Sequence, residues 1–125
     1  MPTRERAQAL VAMVQANQFV EAIEEFYAED ASMQENQAPK RVGRAALVAH
    51  EQAMLAVTRI NTLAGTCLVD GDRSVVQWRF EITDPAGRRF ELDELAYQRW
   101  QGDRIVEERF YFDPAQLAGR ARPAD

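Results

Sequence analysis

Apolar residues recur at helical spacing through the first third of the chain and alternate with polar ones through the second half, so the period itself divides the sequence into helices and then sheet. Across residues 4–16, Ala7, Leu10, Val11 and Val14 share one face while Arg4, Glu5, Arg6 and Gln8 take the other, which predicts an amphipathic helix ended by Asn17. Phe19, Val20, Ile23, Phe26 and Tyr27 repeat at three and four opposite Glu21, Glu24 and Glu25, predicting a short second helix. Residues 31–35 alternate and read as a short strand, and Pro39 excludes helix from the loop that follows. Gly43 caps a third helix from Arg44 to about Val57, whose apolar stripe is Leu47, His50, Met54 and Val57. A histidine inside that stripe faces the core.

Four long strands follow, at about 59–69, 73–83, 88–100 and 104–112, separated by the turn sequences Asp70-Gly71-Asp72, Asp84-Pro85-Ala86-Gly87 and Gln101-Gly102-Asp103. Val76, Trp78, Phe80 and Ile82 form the buried face of the second, against Val75, Gln77, Arg79 and Glu81. Gly65 marks a bulge that bends the sheet. Helices first and a long meander afterwards predict an α+β domain with three helices on one face of a curved antiparallel or mixed sheet. A sheet rolled around helices in this way is a cone, with a binding site in its open mouth. Residues 1–113 make this domain, and 114–125 a short helical turn and tail.

A chain of 125 residues is the size of one domain. The formal net charge of -5 excludes the basic face that nucleic acid needs, and no apolar run approaches the roughly 18 residues that cross a bilayer. The first residues lack a secretory signal pattern, so a cytoplasmic location is expected. The single Cys67 allows no internal disulfide and reads as a small strand residue rather than a nucleophile. One histidine, no cysteine pair and no ligand spacing among the acids give no metal site, and no phosphate-binding loop or nucleophile elbow is present. Cofactor-free chemistry is the expectation.

The run Phe26-Tyr27-Ala28-Glu29-Asp30-Ala31, Gly43 at the head of the next helix, and the ending from Gly102 to Pro114 resemble the SnoaL-like branch of the nuclear-transport-factor-2-like superfamily. The resemblance covers roughly residues 5–113 and implies a cone of curved sheet over three helices, usually dimeric. Its members include isomerases, polyketide cyclases, epoxide hydrolases, dehydratases and non-catalytic binding modules. The ketosteroid isomerases resemble residues 27–35, which places Glu35 at their general-base position. The likeness stops there: Val11 falls where they carry an oxyanion-hole tyrosine, and Ala96 or Leu95 near their protonated aspartate. Limonene-type epoxide hydrolases resemble the same region, but Met33 and Glu35 take the places of their water-holding tyrosine and asparagine. Glu94 could replace one of their carboxylates, and Phe110 falls where the other is expected, so that triad is not intact.

Strand parity gives a separate reading of which charges point inward. If Phe110 and Phe112 face the cavity, Val106 and Glu108 share that face. One strand earlier, Phe90, Leu92, Glu94, Ala96, Gln98 and Trp100 lie together, opposite Asp93, Leu95, Tyr97 and Arg99. Apolar residues on both sides predict a homodimer across the sheet. The candidate catalytic groups are Glu35 as the base, by its position and by the resemblance, with His50, Glu94 and Glu108 as helpers, because carboxyls crowded into an apolar cavity become more basic. Phe19, Met33, Met54, Trp78, Phe80, Trp100, Phe110 and Phe112 are the candidate contacts for an apolar or aromatic small molecule. A plainer reading stays open: Glu94 and Glu108 paired with Arg79, Arg99 or Arg109 at the surface, His50 in the core, Glu35 a solvated loop acid with Asn36 and Gln34 capping the loop, and the aromatics simply packed. Two functions remain open as well, a cofactor-free acid/base enzyme and a non-catalytic module that uses the cone to bind a ligand or a protein.

Overall fold

The computed structural model describes residues 2–120. Helices α1 (Pro2–Gln15), α2 (Phe19–Phe26) and α3 (Arg44–Leu55) surround strands β1 (Tyr27–Glu35) and β2 (Arg41–Val42) in the first half of the chain. Strands β3 (Arg59–Asp70), β4 (Arg73–Thr83), β5 (Arg89–Gln101) and β6 (Arg104–Tyr111) and a terminal α4 (Ala115–Arg120) complete it. One six-stranded sheet runs in the order β2-β1-β6-β5-β4-β3. Its β1–β6 pair is parallel and the others are antiparallel. This is the expected α+β fold, a curved mixed sheet with its helices on one side.

The apolar stripes meet where the periods place them. Ala7 and Leu10 of α1, Ala22, Ile23 and Phe26 of α2, and Leu47 of α3 close on Trp100 and Ile105 of the sheet. Val11 joins Val76, Trp78 and Ala96 in a second cluster. Arg6, expected to face water, lies over the Phe26 ring at 4.2 Å and donates to Glu25 and to the Asp103 carbonyl, tying α1 to α2 and to the β5–β6 turn. Asn17 ends α1 in a left-handed conformation (φ 61) and accepts the Thr62 N–H at 2.8 Å, which pins the helix end to β3.

Several local expectations shift. Tyr27 opens β1 rather than closing α2, so the strand begins four residues before the alternating stretch at 31–35. Helix α3 stops at Leu55 and leaves Val57 at 61% exposure, outside the stripe assigned to it. The β3 bulge lies between Thr62 and Ala64, not at Gly65. Gly65 has another purpose: a Cβ there would stand 2.5 Å from Cζ3 of Trp78, so only hydrogen fits beneath that ring. A second irregularity, where Arg99 pairs with Glu107 but Trp100 with Ile105, gives Ile105 the fully buried place assigned to Val106. The tail is divided: Gln116 of α4 exchanges two hydrogen bonds with the Asp93 backbone, at 2.7 and 2.9 Å, while residues 121–125 lie outside the described region.

Candidate functional site

Between the helices and the concave face of the sheet lies a cavity of about 190 Å³. Leu10, Val14, Phe19, Ile23 and Met54 wall it from the helices, and Ile60, Trp78, Phe80, Ile82, Leu92 and Phe110 from the sheet. Trp78 stacks on Phe80 with centroids 5.7 Å apart, and Phe19 meets Phe80 edge-on at 6.3 Å. Its polar lining is Glu35, Arg41, His50, Glu51, Glu94, Gln98, Tyr27 and Glu108.

All four expected catalytic groups line this space, as do Phe19, Met33, Met54, Trp78, Phe80 and Phe110. Trp100 and Phe112 do not. Trp100 is buried beneath the cavity, where its indole N–H donates to Ser74 Oγ at 2.8 Å. Phe112 follows the end of β6, its backbone N–H held by the Asn36 side chain at 3.0 Å. Register accounts for the inward set, since paired residues share a face: Met33 lies beside Glu108, Glu35 beside Phe110, Gln98 beside Glu108 and Trp78 beside Glu94.

The surface arginines are engaged elsewhere. Arg79 pairs with Glu91 at 3.3 Å, Arg99 with Glu107 at 3.1 Å, and Arg109 donates to the Asn36 carbonyl at 2.8 Å. Neither Glu94 nor Glu108 forms an ion pair among the described residues, which removes the surface-pair reading for both. The loop reading holds for two others. Gln34 donates to the Ala38 carbonyl, and Asn36, in a left-handed conformation (φ 51), bridges β1 to β6.

The two inner carboxyls have different surroundings. Glu94 is pushed up to about 8, first by burial and then by the charges of Glu108, Glu35 and Glu51, with nothing opposing them. Glu108 is buried to 3% exposure and raised to about 7: burial drives it upward, Gln98 and Tyr27 oppose by donating to its two oxygens, and Glu51 adds to the rise. Burial and the neighbouring Glu108 hold the Tyr27 phenol well above its ordinary range, so it stays a donor. Glu35 is exposed at the rim, and half-buried His50 stands on the α3 side.

Besides Arg41 of β2, three polar wall residues were absent from the expected site. Glu51 lies four residues after Leu47 and three before Met54, so helical spacing alone could have placed it on the inner stripe. Its carboxyl is raised by burial and by Glu35. Gln98 shares the Glu94 face by parity. Tyr27 was hidden because it read as the end of a helix. Among the described residues no group of three or more His, Cys, Asp or Glu side chains is placed to hold a metal ion. No described helix is long and apolar enough to cross a membrane.

A curved sheet closed by three helices over a mostly apolar cavity defines a cone fold of the nuclear-transport-factor-2-like superfamily. Within it, the chain belongs to the SnoaL-like domain family, whose model matches residues 7–108. No curated protein matches it in sequence. A candidate polyketide cyclase from Xanthomonas campestris has the same fold, at TM-score 0.84 and 18% identity over 97% of each chain. A candidate SnoaL-like polyketide cyclase from Mesorhizobium loti superposes at TM-score 0.77 and 24% identity, over 87% of this chain and 97% of its own. A candidate isomerase from Bacillus subtilis does so at 0.77 and 16% identity, over 96% and 92%. At these identities the likeness concerns the fold.

Proposed function

We propose that the protein binds an apolar or aromatic small molecule in the conical cavity and transfers protons on it without a cofactor. The observation that carries this reading is the placement of two carboxyls, Glu94 and Glu108, on the wall of one aromatic cavity. Both are more basic than ordinary carboxyls, which suits proton exchange near neutral pH. Glu108 accepts a proton from the ligand, and neutral Glu94 donates one to a ligand oxygen. Return of both protons, the first to a different carbon, completes an isomerisation, and the same pair could serve a cyclisation, dehydration or epoxide hydration. Glu35 and His50 at the rim are second candidates for moving protons in and out. The names of the similar structures, polyketide cyclase and isomerase, agree with this class.

The exposure of Glu35 favours a second reading, a binding module that holds its ligand without turnover. A thermal-shift screen of the wild type, Glu94→Gln, Glu108→Gln and Glu35→Gln against phenols, enones, epoxides and small polyketide-like aromatics tests both. A ligand at about a hundred times its dissociation constant adds roughly 2.7 kcal/mol of stability, worth several degrees. A hit whose shift is altered by the Glu94 or Glu108 variant, followed by product formation, supports the enzyme. A hit with no turnover supports the module, and silence across the panel removes the small-molecule reading.

A further inference from the structure

From the cavity wall to the sheet interior behind it, three polar side chains are buried side by side across three strands. Ser74 on β4 is 1% exposed, Gln98 on β5 0% and Glu108 on β6 3%, and each is the register partner of the next. Polar groups so deep are tolerated when their hydrogen bonds are complete, and these are joined end to end. Trp100 Nε1 donates to Ser74 Oγ at 2.8 Å, Ser74 Oγ donates to Gln98 Oε1 at 2.6 Å, and Gln98 Nε2 donates to Glu108 Oε2 at 2.7 Å. Tyr27 donates to the other oxygen of Glu108.

The direction of this chain is set from its two ends, an indole that can only donate and a carboxylate that can only accept. An indole N–H can only donate, so Ser74 Oγ accepts from Trp100, and its own hydrogen goes to the Gln98 amide oxygen. The amide NH₂ then faces Glu108. A flipped amide would set an N–H against the serine hydrogen and a carbonyl against a carboxylate. Trp100 and Ser74 on one side and the Glu108 carboxylate on the other therefore agree on one orientation of Gln98. Glu94 has the opposite situation, since no donor among the described residues reaches its carboxyl.

We propose that Trp100, Ser74 and Gln98 are positioning residues, which hold Glu108 as the charged member of the carboxyl pair and so leave Glu94 as the neutral member. This assignment rests on the acid/base reading above and supplies what that reading needs, a reason for the two carboxyls to take different roles. The charged and titratable groups sharing the cavity with Glu108 are Tyr27 and Glu35 from β1, Arg41 from β2, His50 and Glu51 from α3, and Glu94 from β5. Carboxylates confined together do not all ionise, and the one supplied with two donors keeps its charge. Loss of the indole N–H frees the serine hydroxyl to rotate and the amide to flip, and a carbonyl facing Glu108 favours the protonated acid.

The test is a pH titration of the glutamate side-chain carboxyls by carbon-13 NMR, on wild type, Trp100→Phe and Ser74→Ala, with Glu94→Gln and Glu108→Gln to assign the signals. Wild type is expected to show Glu108 ionising at lower pH than Glu94. Both positioning variants are expected to raise the Glu108 midpoint by about one unit, a tenfold gain in proton affinity, and to lower that of Glu94. Glu108 ionising after Glu94 in wild type overturns the proposal, and so does a Glu108 midpoint unmoved in Ser74→Ala. If Trp100→Phe unfolds, the wild-type order and Ser74→Ala decide. No ligand is involved, so this result stands apart from that of the ligand screen: the carboxyls can divide their roles in a pocket whose ligand is unfound, and a ligand can bind where they do not.

Discussion

Tyr27 and Glu108, 81 residues apart in sequence, are joined by a hydrogen bond inside the wall of the cavity. The parallel pairing of β1 with β6 brings them together, with Tyr27 opposite Ile105 and the bulged stretch between them leading to Met33 opposite Glu108. The phenol and the Gln98 amide together make a buried carboxylate tolerable, because each donates to one of its oxygens.

Tyr27→Phe removes one of these donors and leaves an acceptor short of a partner. A loss of about 1–3 kcal/mol is expected where Glu108 is ionised, near pH 8, and a smaller one near pH 5, where the acid is protonated. Urea unfolding at the two pH values measures it. Equal losses at both would mean that the bond does not serve the charge.

Because Glu94 and Glu108 stand at about 8 and about 7 in the native state, against an ordinary 4.5, the native protein binds more protons than the unfolded chain between those limits. Stability therefore falls as pH rises from about 4.5 to about 8, at up to about 1.4 kcal/mol per unit for each group. Glu94→Gln keeps the shape and removes the charge. It should flatten the upper part of the curve and stabilise the protein by on the order of 1–3 kcal/mol at pH 8. A wild-type curve that rises through this interval would contradict the burial of these carboxyls.

Gly65→Ala forces the Trp78 ring to move, since its new methyl would stand 2.5 Å from Cζ3. Overpacking of this kind costs about 1–3 kcal/mol. Trp78 is also cavity wall, so the tryptophan emission should shift and any ligand of the wild type should bind differently. Unchanged stability and emission would show that the ring has room to move.

On the outer face of the sheet, Leu95, Tyr97 and Tyr111 are each more than 40% exposed, with Leu95 directly beside Tyr111 in register. Flanking pairs of opposite charge, Arg79–Glu91 and Arg99–Glu107, give the face complementary signs for pairing with a second copy. Light scattering is expected to give twice the chain mass of 14.2 kDa, and Leu95→Asp to halve it. A wild-type monomer at high concentration would leave this face without the partner assigned to it.

By itself the sequence determined the architecture, because hydrophobic period is a local property: three at-helix-spacing stripes and four alternating runs sit within a few residues of the helices and strands they predict. Parity along β5 and β6 grouped Glu94 with Ala96 and Glu108 with Phe110, but left surface ion pairs open until the structure turned both carboxyls inward. The tertiary structure decided what those groups meet. A one-residue slip between Trp100 and Ile105 is invisible to alternation yet moves Val106 off the core position. Trp100 and Phe112 fit the aromatic set by composition, but only the register put one beneath the cavity and the other beyond it. Tyr27 entered the site through the pairing of β1 with β6, between residues far apart in the chain, whereas Glu51 was within reach of helical spacing. Charge and donor supply at Glu94 and Glu108 depend on such long-range neighbours, and no local pattern of residues encodes them.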